Sequence, residues 1–136
     1  MSRRRAGGLV GAILVVTVGC VVVNLWLTIA PPPWYLNLIK PVDLSDPVAA
    51  GATLVANYNC RRCHRIDSWG ARLAPDLAGV TQRLDGETLR AWLREAGAVR
   101  QGTPMPSPRL SDDEITAITA YLIALDRRCP SLSPSP

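Results

Sequence analysis

At 136 residues the chain has room for one domain, and its 48% hydrophobic content is concentrated near the N-terminus. The formal charge of +4 comes mostly from Arg3, Arg4 and Arg5, without which 12 basic residues face 11 acidic ones. With no helix-turn-helix, zinc-finger or aromatic-basic signature beside that near-balance, no nucleic-acid partner is expected.

Residues 1–8 form a basic N-terminus, and residues 9–30, LVGAILVVTVGCVVVNLWLTIA, follow without a charge. As a helix those 22 residues reach roughly 33 Å, enough to cross a bilayer and make lipid a partner of this segment. The arginines place the N-terminus on the cytoplasmic side of a bacterial membrane, and everything after Ala30 on the periplasmic side. A cleaved signal peptide is the competing reading. Its apolar core would be only about 7–15 residues, and the weak site Thr28-x-Ala30 runs into Pro31, Pro32 and Pro33. Val18-Gly19-Cys20 loosely resembles a lipoprotein site, but Thr17 replaces the usual leucine and apolar residues continue past it. Cys20 reads better as a small residue buried in the membrane.

Residues 31–47, PPPWYLNLIKPVDLSDP, show no helical apolar period and are expected to be an extended, polyproline-like linker holding the next domain off the membrane. Trp26, Trp34 and Tyr35 bracket the outer interface, where amphipathic rings commonly sit. Residues 129–136 are a Pro/Ser-rich tail with no means of building a core, and disorder is expected there.

Residues 48–128 read as helices between turns. Asp46-Pro47 starts the first, which runs to the cysteines. A second begins near Asp85 and carries Leu89, Trp92, Leu93 and Ala96 at three- and four-residue spacings. The last opens with the capping box Ser111/Glu114 and presents Ile115, Ile118, Leu122 and Leu125 on one stripe. With no strand pattern the fold class is all-α: one transmembrane helix, then a small helical domain. Some 80 residues without phenylalanine make a thin core alone, and a large apolar cofactor would complete it.

Cys60-Arg61-Arg62-Cys63-His64 supplies the attachment site. Two thiols three positions apart reach the two vinyl groups of one porphyrin edge as thioethers, and the adjacent histidine lies beneath the iron. This C-x-x-C-H spacing is that of covalent haem c. A zinc site would need further ligands, for which Cys20 and Cys129 are poorly placed; a thioredoxin-like pair would need a βαβ setting. His64 is the only histidine, so bis-histidine ligation within the chain is excluded. Met105, the only methionine besides Met1, sits between Pro104 and Pro106. A thioether so held is a candidate for the second axial ligand. A methionine packed in a turn, with five-coordinate iron, is the alternative.

These residues, together with Gly51 and Tyr58, the segment Gly70 to Leu77, Met105-Pro106 and Tyr121-Leu122, resemble a class I c-type cytochrome domain across residues 48–126. The resemblance implies that Pro75 offers its carbonyl to the outer N–H of His64, and that Gly51 packs against Tyr121 where the first and last domain helices cross. It implies axial ligation by His64 and Met105, and one-electron transfer by a chain that is not itself an enzyme. Ala74 departs from the pattern, standing where glycine is usual before Pro75. Anchored monohaem chains of this kind occur in alternative complex III, nitric oxide reductase and cytochrome oxidases. The expectation is therefore a subunit of a quinol-oxidising respiratory or photosynthetic assembly that relays electrons to a periplasmic acceptor, with other subunits as partners. A free tethered shuttle, a small subunit of nitric oxide reductase or a terminal oxidase, and a haem-based gas sensor are the alternatives. Arg61, Arg62 and Arg65 form a candidate positive patch for an acidic partner. Trp69, Arg72, Arg83 and Trp92 are candidates for haem packing or propionate contacts, and Cys129 is a free thiol or a link to another chain.

Overall fold

The structure, a computed structural model, describes residues 3–128, with side chains from Gly8 onward except at Pro33. The expectations for the tail and for Cys129 lie outside the described residues. The chain divides into two compact units, Met1–Tyr35 and Leu36–Pro136.

The first unit is dominated by helix α1, Arg3–Ile29. Its Gly8–Ile29 stretch, with a mean hydropathy of 2.5, is long and apolar enough to cross a membrane once. Hydrocarbon offers no partners to polar groups, and the polar side chains in the span bond to their own helix. Thr17 Oγ1 donates to Leu14 O at 2.9 Å and Asn24 Nδ2 to Cys20 O at 2.9 Å. Pro31, Pro32 and Pro33 then end the helix, since each lacks the N–H that a helix interior requires.

Where an extended linker was expected, the chain folds into a second helix, α2, Pro33–Ile39. The prolines stop one helix, and the last of them starts the next, because its fixed φ suits the first helical position. In the second unit the end of this segment is fastened down. Leu36 is buried, the Asp112 N–H donates to Asn37 Oδ1 at 2.8 Å, and Lys40 Nζ donates to Tyr58 Oη at 3.0 Å and to Arg109 O at 2.9 Å.

Helix α3, Pro47–Asn57, begins as its sequence requires, with Asp46 Oδ1 accepting the Ala49 N–H at 3.0 Å and Pro47 at the first position. After a 3₁₀ turn at Cys60–Arg62 come the short helix α4, Val80–Arg83, then α5, Gly86–Arg94, and α6, Ala96–Val99. Asp85 caps α5 through the Thr88 N–H at 2.9 Å. The expected helix with apolar positions through Ala96 is two helices, because the backbone breaks at Glu95. Ala96 is nonetheless buried.

Helix α7, Asp112–Arg128, closes the domain. Its capping box is formed: Glu114 N–H donates to Ser111 Oγ at 3.1 Å, and Ser111 N–H to Glu114 Oε2 at 2.8 Å. Ile115, Ile118 and Leu122 join Val55, Ile66, Val80, Leu89 and Leu93 in the core. Helices α3 and α7 cross at backbone contact: a Cβ added to Gly51 would lie 2.1 Å from Ala117 O and 2.7 Å from Tyr121 Cβ. Among the described residues the only strand-like feature is an isolated bridge between Ile66 and Trp69, so the fold is all-α.

Candidate haem-attachment site

The site grows from the end of α3. Asn59 takes a left-handed conformation (φ 53°), which Asn tolerates better than most residues, and this turns the chain out of the helix. Arg62 N–H donates to Asn59 O at 2.9 Å and His64 N–H to Cys60 O at 3.0 Å. One tight turn therefore carries Cys60, Cys63 and His64. Both cysteines are unpaired and half-buried, and Cys60 packs against the core. Burial pushes the Cys60 thiol up from its usual range.

The following loop folds back onto this turn. Leu73 and Ala74 both direct their N–H groups to Cys63 O, each at 3.0 Å, and Ala71 N–H reaches Arg61 O at 2.9 Å. Gly70 is required here. At φ 119° it presses so close that a Cβ would sit 2.4 Å from His64 O. Ala74 has no positive φ, so its backbone does not need the glycine usual at this position.

This folding brings Pro75 to His64: Nδ1 and Pro75 O are 2.8 Å apart. With Nδ1 protonated and donating, the lone pair is left on Nε2 for a metal. The carbonyl is itself held in place. Leu77 N–H donates to Arg65 O at 3.0 Å, while Arg83 reaches Ala78 O at 2.5 Å and Asp76 O at 2.6 Å. Asp126 of α7 accepts from Gly79 N–H at 2.7 Å, Thr81 N–H at 2.8 Å and Thr81 Oγ1 at 2.7 Å.

The sequence pattern did not reveal this fastening of the Pro75 loop. The signal for it was an acidic residue in the last turn of α7, where the helix dipole disfavours one, directly after the apolar stripe. Arg83 is thus committed to backbone carbonyls. Arg61 also differs from a solvated patch charge: it donates to Tyr121 Oη at 3.1 Å and lies 5.2 Å from the centre of the Trp69 ring. Arg65 Nε is 3.9 Å from Asp76 Oδ2. Of the three expected patch arginines, Arg62 alone is exposed.

Met105 belongs to a separate loop between α6 and α7, stiffened by Pro104, Pro106 and Pro108. It is half-buried, its N–H approaches Thr103 Oγ1 at 3.4 Å, and Ser107 Oγ hydrogen-bonds Glu95 Oε1. Among the described residues no group of three or more His, Cys, Asp and Glu side chains converges as a zinc site would need. Two unpaired thiols on one turn and an imidazole with Nε2 available are, by contrast, the donor set of a covalently attached iron porphyrin.

Comparison with known proteins agrees with this chemistry. A family model described as Cytochrome c matches residues 48–126. The chain is 34% identical over 104 residues to the second subunit of cytochrome c oxidase from Bacillus sp. (strain PS3), covering 65% of this chain and 29% of that protein. It is 31% identical over 101 residues to a nitric oxide reductase subunit of Halomonas halodenitrificans, covering 65% of this chain and 67% of that one. Cytochrome c550 of Pseudomonas aeruginosa is 33% identical over 86 residues, covering 59% and 55%. The chain thus spans under a third of the oxidase subunit and about two thirds of the reductase subunit. With the family matched across its helical domain and the attachment turn formed, the chain belongs to the cytochrome c family, as a class I c-type cytochrome that carries one haem c on Cys60 and Cys63 and transfers electrons.

Proposed function

We propose that this chain is a single-pass membrane-anchored electron relay, with its N-terminus cytoplasmic and its haem domain periplasmic, and that its iron is ligated by His64 and Met105. The observation that carries the His64 half of this ligation is the 2.8 Å contact between His64 Nδ1 and Pro75 O, which leaves the Nε2 lone pair available for a metal. When bound, the haem supplies one-electron exchange between ferric and ferrous iron. The protein's part is to hold the ligands still. Cys60 and Cys63 fix the porphyrin edge, Pro75 fixes the His64 tautomer and ring, and the Pro104–Pro106 frame limits where the Met105 thioether can go. With His64 and Met105 both holding the iron, no position on it would be left open to a substrate, and the chain would be a non-catalytic carrier.

The relay works as the small haem-bearing subunit of a larger membrane complex. A quinol-oxidising respiratory or photosynthetic assembly of the alternative complex III kind, handing electrons to a periplasmic acceptor, is one host. A second reading, the electron-entry subunit of a nitric oxide reductase or terminal oxidase, is favoured by the match covering 67% of a nitric oxide reductase subunit.

Two measurements test this. The ferric protein is expected to show the far-red absorption band of sulfur–iron ligation, lost in Met105→Ala. Ready CO binding by the untouched ferrous protein would instead indicate an open iron and a gas-binding role. Extraction in mild detergent followed by sizing is expected to give co-migration with other redox subunits. A lone small species would mean a free shuttle.

A further inference from the structure

Electron transfer leaves one side of α2 without a role. Leu36 and Asn37 turn one side of this helix to the haem domain, and Lys40, just past its end, faces the same way. Leu36 is buried there, Asn37 meets Asp112, and Lys40 meets Tyr58 and Glu114. Leu38 and Ile39 point the other way and are 72% and 51% exposed. Two adjacent large apolar side chains presented to water, on a helix fastened so firmly on its other side, mark a contact surface.

Its occupant follows from chain length and charge. Only Ala30, Pro31 and Pro32 separate α1 from α2. At up to about 3.6 Å per extended residue and about 1.5 Å per helical one, Leu38 lies within roughly 20 Å of chain from the end of α1. Residues 30–39 carry no charge, and the first one after them, Lys40, turns its ammonium to the haem domain. A segment that emerges from a span, stays uncharged and exposes Leu and Ile has the composition of a surface lying in the lipid interface, where such helices bury their apolar face about 5–10 Å deep.

We propose that Leu38 and Ile39 rest in the boundary between headgroups and acyl chains, making α2 a foot that seats the haem domain on the bilayer. This rests on α1 being a membrane span. Because Asn37 and Lys40 stand on the same short segment, the foot holds the N-terminal end of α7 and limits the haem domain's freedom to tumble. The linker is then a fixed mount, and the redox partner meets the haem at a set height.

The test uses the full haem-loaded chain, kept ferrous, in phosphatidylcholine nanodiscs, with Cys20→Ala and Cys129→Ser to remove the other reactive thiols. Nitroxide labels go on Leu38→Cys and Ile39→Cys, on Val23→Cys within α1, and on Leu73→Cys, a residue 81% exposed in the haem domain. Collision with dissolved oxygen and with a water-soluble nickel chelate reports the surroundings of each label. Labels 38 and 39 are expected to resemble 23, with oxygen access several-fold above nickel access, and label 73 to show the reverse. Nickel access at 38 and 39 equal to that at 73 would overturn the foot, as would exclusion of both reagents, which means a protein covers it. Nickel access at 23 would instead remove the membrane span on which the proposal stands.

Discussion

Asp126 Oδ1 accepts the Gly79 N–H at 2.7 Å, tying the last turn of α7 to the loop that carries Pro75. A carboxylate at a helix C-terminus is disfavoured by the dipole. Here its hydrogen bonds to Gly79 and Thr81 offset that cost and satisfy the N–H of Gly79, just before α4, and of Thr81, in the first turn of that helix, which has no cap from its own N-cap side chain. Asp126→Ala leaves buried donors unmatched, and is expected to lower unfolding free energy by about 2–4 kcal/mol. Asp126→Asn keeps one acceptor oxygen and should lose about half as much. Denaturant unfolding of the haem-loaded protein checks both, and a change near zero in Asp126→Ala would show that the loop is held by Arg83 instead.

Gly51→Ala places a methyl group where Ala117 O already stands at 2.1 Å. The obstacle is backbone, so the helices must move apart, and the cost should reach or exceed about 3 kcal/mol, the upper end of ordinary overpacking. Thr53→Ala, exposed two positions along the same helix, is the control, expected to stay within about 0.5 kcal/mol. Equal melting temperatures for the two variants would contradict the close crossing.

The residues legible in advance were those whose role is set by local chemistry. C-x-x-C-H is a spacing rule, and Asp46-Pro47 and Ser111/Glu114 are caps, whereas Gly51 against Tyr121 was expected only from the resemblance to a class I c-type cytochrome domain. The contacts that escaped are long-range polar ones, which leave no period in a sequence. Lys40 reads as a linker charge and Tyr58 as a helix-end aromatic, yet they meet at 3.0 Å across 18 positions. Within residues 31–47 the extended reading failed over Pro33–Ile39 for a related reason: proline counts there as a helix breaker, while at a first helical position it is a starter.

The meeting of Lys40, Tyr58 and Glu114 gives a coupling that can be measured. Glu114 is 5% exposed; it accepts from Tyr58 Oη at 2.7 Å and Ser111 N–H at 2.8 Å, and lies 3.7 Å from Lys40 Nζ. Removing Lys40 leaves a buried carboxylate without its counter-charge, so Lys40→Met should destabilise the wild type more than it destabilises Glu114→Ala. A double-mutant cycle is expected to return about 0.5–3 kcal/mol of coupling. Strict additivity would mean that the ammonium is held by Tyr58 Oη and the Arg109 carbonyl with no contribution from the carboxylate.

Acid should erode two further contacts in a predictable direction. The Thr88 backbone N–H, then its hydroxyl, hold the Asp85 carboxyl below its ordinary value of 3.8. The Arg94 guanidinium, against the opposing effect of burial, does the same for Asp112 with help from Asn37. A carboxylate whose folded pKa is depressed stabilises the native state above its unfolded value, and that contribution is lost as pH falls through the lower native one. Asp85→Asn is the informative change, because Asn caps a helix about as well as Asp but cannot titrate. Its urea midpoint should fall below the wild type's near neutral pH, and the gap should close as pH drops from the ordinary carboxylate range towards 2. Asp112→Asn should behave likewise, and more strongly in low salt, where its pairing with Arg94 is least screened. Parallel curves for wild type and Asp85→Asn across the whole acid range would show that the cap works as a neutral hydrogen bond, its charge adding nothing.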